Sequence, residues 1–104
     1  MRTDKDNVLK VGIVQHSFLS DVETNRTRNV SAIANLAAEG AKLIVLSELH
    51  DSLYFCQTEN VDNFDLASEL PGDFTDFYGA AAADNGVVVV ASAFERRAPG
   101  LYHN

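Results

Sequence analysis

The 104-residue chain contains one cysteine, two prolines, no tryptophan and eight lysines and arginines against fifteen aspartates and glutamates. Each scarcity excludes something. With Cys56 alone, no internal disulfide and no cysteine metal cluster can form, which fits a reducing compartment such as the cytoplasm. A formal charge of −7 removes the broad basic face that nucleic-acid binding needs. It leaves room for a cationic small molecule, although an acidic surface equally serves solubility. No apolar run is long enough for a membrane span, and the polar start Met1–Asn7 leads into a stretch too short and too polar for a signal h-region. With 46% apolar residues the chain is globular rather than disordered, and its length suits one small domain or part of a larger one.

What is present alternates. Residues 8–15 (VLKVGIVQ), 42–47 (KLIVLS) and 87–94 (VVVVASAF) are short, rich in β-branched residues and bounded by polar segments, and read as strands. The second, apolar on both faces, reads as a central parallel strand covered from both sides. Between the first two, Ser20-Asp21 offers an N-cap, Glu23 favours the positive end of the helix dipole, and Val30, Ile33, Ala34, Ala37 and Ala38 recur at helical spacing up to Gly40, a C-cap residue. A second helix starts at Pro71-Gly72-Asp73, carries Phe74, Phe77, Tyr78, Ala81 and Ala82 on one stripe and closes at Asn85-Gly86. Residues 48–70 have no clear period, 95–100 read as a charged turn, and Leu101-Tyr102 as the start of a fourth strand. The order β-α-β-loop-α-β implies right-handed crossovers and a largely parallel sheet. The chain stops on Leu101-Tyr102-His103-Asn104 without a stop signal, as a piece of a larger domain would.

Sites in open α/β sheets gather beyond the carboxyl ends of the strands. Residues 15–17, 48–50 and 95–97 leave those ends here. Glu48 is the sharpest candidate, since it follows the most apolar strand and opens the long loop. Half-burial at the sheet rim would raise its pKa toward the range of a general base; the alternative is a solvated carboxylate. Cys56 could be a nucleophile only with a base or cation beside it, and otherwise serves as a small apolar group. His16, His50 and His103 lack metal-ligand spacing, Arg96 and Arg97 suit solvated charge, and Gly12 is a lone strand glycine rather than a phosphate loop. No cofactor or metal is indicated. A non-catalytic α/β binding module, with residues 48–51 (ELHD) as an acidic Mg²⁺-binding rim, stands beside the enzymatic reading. The Gln15-His16-Ser17 segment disfavours it, because a receiver-like domain needs acids after its first strand.

Several stretches together resemble the nitrilase (carbon–nitrogen hydrolase) superfamily. They are residues 10–15 (KVGIVQ), Asn29 in the first helix, and residues 40–49 (GAKLIVLSEL), with Ser47 where the family commonly has proline. Residues 54–57 (YFCQ), 64–67 (FDLA) and 94–104 (FERRAPGLYHN) are similar to the branch of N-carbamoylputrescine amidases. The resemblance runs from Leu9 to the end and implies that residues 1–104 are the N-terminal portion of one α-β-β-α sandwich domain, homo-oligomeric at full length. It implies hydrolysis of N-carbamoylputrescine to putrescine, CO2 and ammonia, in polyamine synthesis, through a Glu-Lys-Cys triad. N-carbamoyl-β-alanine and ω-amides are the neighbouring substrates. Glu48 matches the general base, Tyr54 and Phe55 the loop that shapes the substrate pocket, and Asn104 a site-supporting asparagine. The lysine and nucleophilic cysteine belong to motifs beyond Asn104, and neither Lys42 nor Cys56 matches them. The 104 residues by themselves are therefore expected to be inactive.

Overall fold

The computed structural model describes residues 7–53, 55 and 61–104. Three short parallel strands, β1 (Val11–Ile13), β2 (Leu43–Val45) and β3 (Val88–Val90), form a sheet in the order β1-β2-β3. Helix α1 (Val22–Ala38) connects the first pair and α2 (Asp73–Asn85) the second. Two crossovers of the same hand, advancing the same way across the sheet, bring both helices to one face. That face is the core: Val14, Ile33, Ala41, Ile44, Leu46, Phe74, Tyr78 and Ala81 are buried together. Ile33 and Ile44 are wholly enclosed, and each contributes roughly 1.5–3 kcal/mol by leaving water. Gly12 lies where α1 presses closest; a Cβ there would stand 2.9 Å from Leu36 Cδ1.

The caps follow local chemistry. Asp21 is the N-cap of α1; its Oδ2 accepts from Thr24 N at 3.2 Å and from the Thr24 hydroxyl. The Thr24 hydroxyl bond is the main reason the Asp21 carboxyl lies below its usual range. Helix α2 has Gly72 as N-cap and ends on Gly86 in the left-handed region at φ 61°. Helix α1 ends one residue before the expected cap. Glu39 occupies the C-cap at φ −83°, and Gly40, at φ 98°, turns the chain toward β2.

Three other expectations are corrected. Residues 95–100 are a hairpin rather than a charged turn: β4 (Glu95–Ala98) pairs antiparallel with β5 (Leu101–His103) through the Pro99-Gly100 turn. Its backbone pairing does not require alternating apolar residues, so the ERR sequence concealed it. Residues 61–66, which show no period, form a 3-10 helix (Val61–Leu66). Strand β2 is central, as expected, but it is covered on one side only among the described residues. On the opposite face Leu43 and Val45 are half-buried, and their partners Val11, Ile13, Val88 and Val90 are exposed.

Among the described residues no helix is long and apolar enough to cross a membrane.

Candidate active site at the end of the central strand

Strand β2 delivers Ser47 and Glu48 to the carboxyl edge of the sheet, and the chain then turns sharply. Leu49 adopts φ 50°, a left-handed conformation rarely taken by a residue with a side chain. Its own side chain is 4% exposed, so apolar burial helps hold a backbone that would otherwise be unfavourable. Glu48 itself is exposed, not half-buried as expected. The turn points Leu49 and His50 inward and leaves the glutamate at the surface. Asn104 Nδ2 donates to Glu48 Oε1 at 3.2 Å. Two residues 56 positions apart thus meet because β4 and β5 fold back toward the strand ends. The hairpin is anchored from the other side by the segment before α2: Ser68 N donates to Phe94 O and Arg96 N to Ser68 O, both at 2.8 Å.

Behind Glu48 lies a buried polar network whose extent the sequence did not reveal. Asn25, Asn29 and His50 are fully enclosed. Asn29 Nδ2 donates to His50 O at 3.0 Å and to the Tyr78 hydroxyl at 3.1 Å, while its Oδ1 accepts from His16 Nε2 at 3.0 Å. Asp51 accepts from His50 Nδ1 at 3.1 Å, from Arg26 Nε at 2.8 Å and from the Tyr78 hydroxyl. His50 Nε2 has no partner among the described residues, in its enclosure between the rings of Phe74 and Tyr78. Arg26 also reaches Asp73 at 2.8 Å and stands over the Phe77 ring, 5.1 Å from its centroid.

Electrostatics keep this network charged where charge is paired. Burial opposes ionisation of Asp51, but the hydrogen bonds from His50, Tyr78 and Arg26 together hold its carboxyl below the usual range. Burial likewise opposes the Arg26 cation, and the bonds to Asp73 and Asp51 outweigh it, leaving the guanidinium above its ordinary value. Burial, then donation to Asp51, pushes the Tyr78 hydroxyl far above its ordinary value, so it stays a donor.

Phe55 packs on Phe94 with ring centroids 5.0 Å apart, and both line a cavity of about 50 Å³ together with Arg26, Leu49, Ser52 and Ser68. That is room for little more than one or two ordered waters. Glu48 does not line it. The structure therefore brings Glu48 and Asn104 together and sets Phe55 in a neighbouring aromatic cluster; Tyr54 and Cys56 lie outside the described residues. The acidic rim of residues 48–51 divides, since Asp51 turns inward to Arg26 while Glu48 turns outward to Asn104. Among the described residues no group of three His, Cys, Asp or Glu side chains could hold a metal ion.

The chain as a whole has known counterparts. The carbon-nitrogen hydrolase family model matches residues 10–104, and the chain belongs to that family. A crystal structure of a carbon-nitrogen hydrolase from Helicobacter pylori G27 superposes with a TM-score of 0.85 at 34% identity, covering 92% of this chain and 33% of that one. The chain is 35% identical over 97 residues to a citrullinase of Francisella tularensis and 31% identical over 99 to a nitrilase of Pyrococcus abyssi. It is 28% identical over 102 residues to an N-carbamoylputrescine amidase of Solanum lycopersicum. These alignments cover 92%, 93% and 97% of this chain but 34%, 37% and 34% of the relatives, so the chain spans about a third of their length.

Proposed function

We propose that the full-length protein hydrolyses the terminal ureido group of N-carbamoylputrescine, with Glu48 as general base. The observation that carries the assignment of the base is the position of Glu48 in a chain of this family. It stands at the carboxyl end of the central strand, open to a substrate and held by Asn104. In this reading a lysine and a cysteine from the rest of the protein complete the triad. Glu48 takes the thiol proton, and the thiolate adds to the ureido carbon while the lysine stabilises the oxyanion. One nitrogen then leaves with a proton, and water releases the remainder, giving putrescine, CO2 and ammonia. The choice of substrate is supported by the similarity to the Solanum amidases and by the acidic balance of the chain, which suits a cationic amine. Phe55, with Tyr54, is the proposed wall of the substrate pocket. Cytoplasmic location and homo-oligomeric assembly belong to the same proposal.

A second substrate is favoured by the similarity to a citrullinase. Citrulline carries the same ureido group on a short aliphatic chain and differs from N-carbamoylputrescine by its α-carboxylate. The test is kcat/KM of the full-length protein on N-carbamoylputrescine, citrulline, N-carbamoyl-β-alanine, an ω-amide and a nitrile, repeated with Glu48→Gln. N-carbamoylputrescine should be preferred, and Glu48→Gln should lower kcat by about 100-fold or more. Preference for another compound overturns the substrate; an unaffected Glu48→Gln overturns the base.

A further inference from the structure

Glu48 leaves β2 between two fixed points. Before it, Ser47 Oγ donates to Val14 O at 3.2 Å and ties the strand end to the segment following β1. After it, two amides of α1 hold the backbone: Asn29 Nδ2 donates to His50 O at 3.0 Å, and Asn25 Nδ2 donates to Asp51 O at 2.9 Å. The two asparagines are four residues apart and so share a helix face. Both are fully buried.

Neither amide can swing away without breaking other bonds. Asn25 Oδ1 accepts from Leu19 N at 2.8 Å, and its Nδ2 also donates to Leu19 O at 2.7 Å. Asn29 is fixed by His16 and Tyr78. Leu49, at φ 50° between the glutamate and the gripped carbonyls, relaxes unless its surroundings hold it.

We propose that Asn25 and Asn29 are positioning residues for Glu48, fixing the direction of its carboxylate by gripping the carbonyls two and three residues beyond it. The proposal rests on the reading of Glu48 as general base. A purely structural role would lower stability and leave the chemistry of correctly folded molecules unchanged. A positioning role slows the step that uses Glu48 and no other, because small misplacements of a reacting group are costly.

The experiment is a double-mutant cycle in the full-length protein, using the best substrate of the panel above. It reads kcat, KM and the cooperative melt of Asn29→Ser, Asn25→Ser, Glu48→Gln and their pairs. Asn29→Ser should lower kcat roughly 10- to 100-fold and move KM less than about threefold. In the Glu48→Gln background it should produce no further loss. An equal fractional loss in both backgrounds, or a wild-type kcat in an Asn29→Ser protein that melts at lower temperature, overturns the proposal. If Asn29→Ser does not melt cooperatively, Asn25→Ser, which frees only the Asp51 carbonyl and the Leu19 loop, decides by the same criteria. A Glu48→Gln protein with wild-type kcat marks failure of the general-base reading instead.

Discussion

Asn104 Nδ2 donates to Glu48 Oε1 at 3.2 Å, joining the end of the β4–β5 hairpin to the turn after β2. Both side chains are exposed, so water competes for the bond. Asn104→Ala in the full-length protein should therefore lower kcat only about fivefold, near 1 kcal/mol, with little change in melting temperature. Steady-state kinetics beside a thermal melt checks it. A large stability loss would show that Asn104 holds the hairpin rather than the glutamate.

Tyr78→Phe keeps the ring and removes the hydroxyl. The half-buried Asp51 then loses a donor and the buried Asn29 Nδ2 an acceptor. The expected cost is about 1–3 kcal/mol, read as a shift of the denaturant midpoint at constant slope.

Acid should act on the same network. The Asp51 carboxyl is held below its usual range in the fold, so its contribution is complete above the unfolded value of about 3.9. It is lost as pH falls through the depressed folded value. Melts from pH 7 down to pH 2 should show a steep loss below about pH 4 in the native sequence. Asp51→Asn should be weaker at neutral pH and flatter across that window. Parallel curves for the two proteins would remove Asp51 as the cause.

The 104 residues expressed alone should associate and cleave no carbamoyl compound. Val11, Ile13, Val88 and Val90 leave a bare aliphatic patch on the sheet opposite the helices. Light scattering should show assemblies that shrink in an Ile13→Lys, Val90→Lys double variant. Carbamoyl-substrate cleavage by the isolated chain that Glu48→Ala abolishes would contradict the need for further residues.

The parallel sheet was legible because its signals are local. Each strand is an apolar run between polar segments, and Asp21 and Gly86 cap helices by chemistry confined to one turn. The place of Glu48 at the end of the central strand was legible from the apolar run before it, whereas its hydrogen bond with Asn104 was not, since the resemblance implied only that Asn104 supports the site. The buried network was not. Asn25 and Asn29 lie on the same four-residue stripe as Ile33, and all three are buried. Pattern reading assigns asparagine to the wet side of a helix, and only distant carbonyls, 26 and 21 residues away, reverse that here. An amide pair in line with a core isoleucine was the available signal. The expected half-burial of Glu48 failed for a similar reason, since the backbone of Leu49, not the apolarity of β2, decides which way the next side chains face.

The backbone after Glu48 is attached to α1 by the uncharged amides of Asn25 and Asn29, alongside the Arg26–Asp51 ion pair. Amides do not ionise over the range in which a protein stays folded, and bonds between neutral dipoles are barely weakened by dissolved ions. Those two amide bonds should hence be the same in dilute buffer and in concentrated salt, while the Arg26–Asp51 pair is the part of the attachment that salt weakens. If Glu48 is the general base as proposed, any ionic-strength dependence of turnover would then report on how the substrate approaches or on the Arg26–Asp51 pair, not on the two amide bonds.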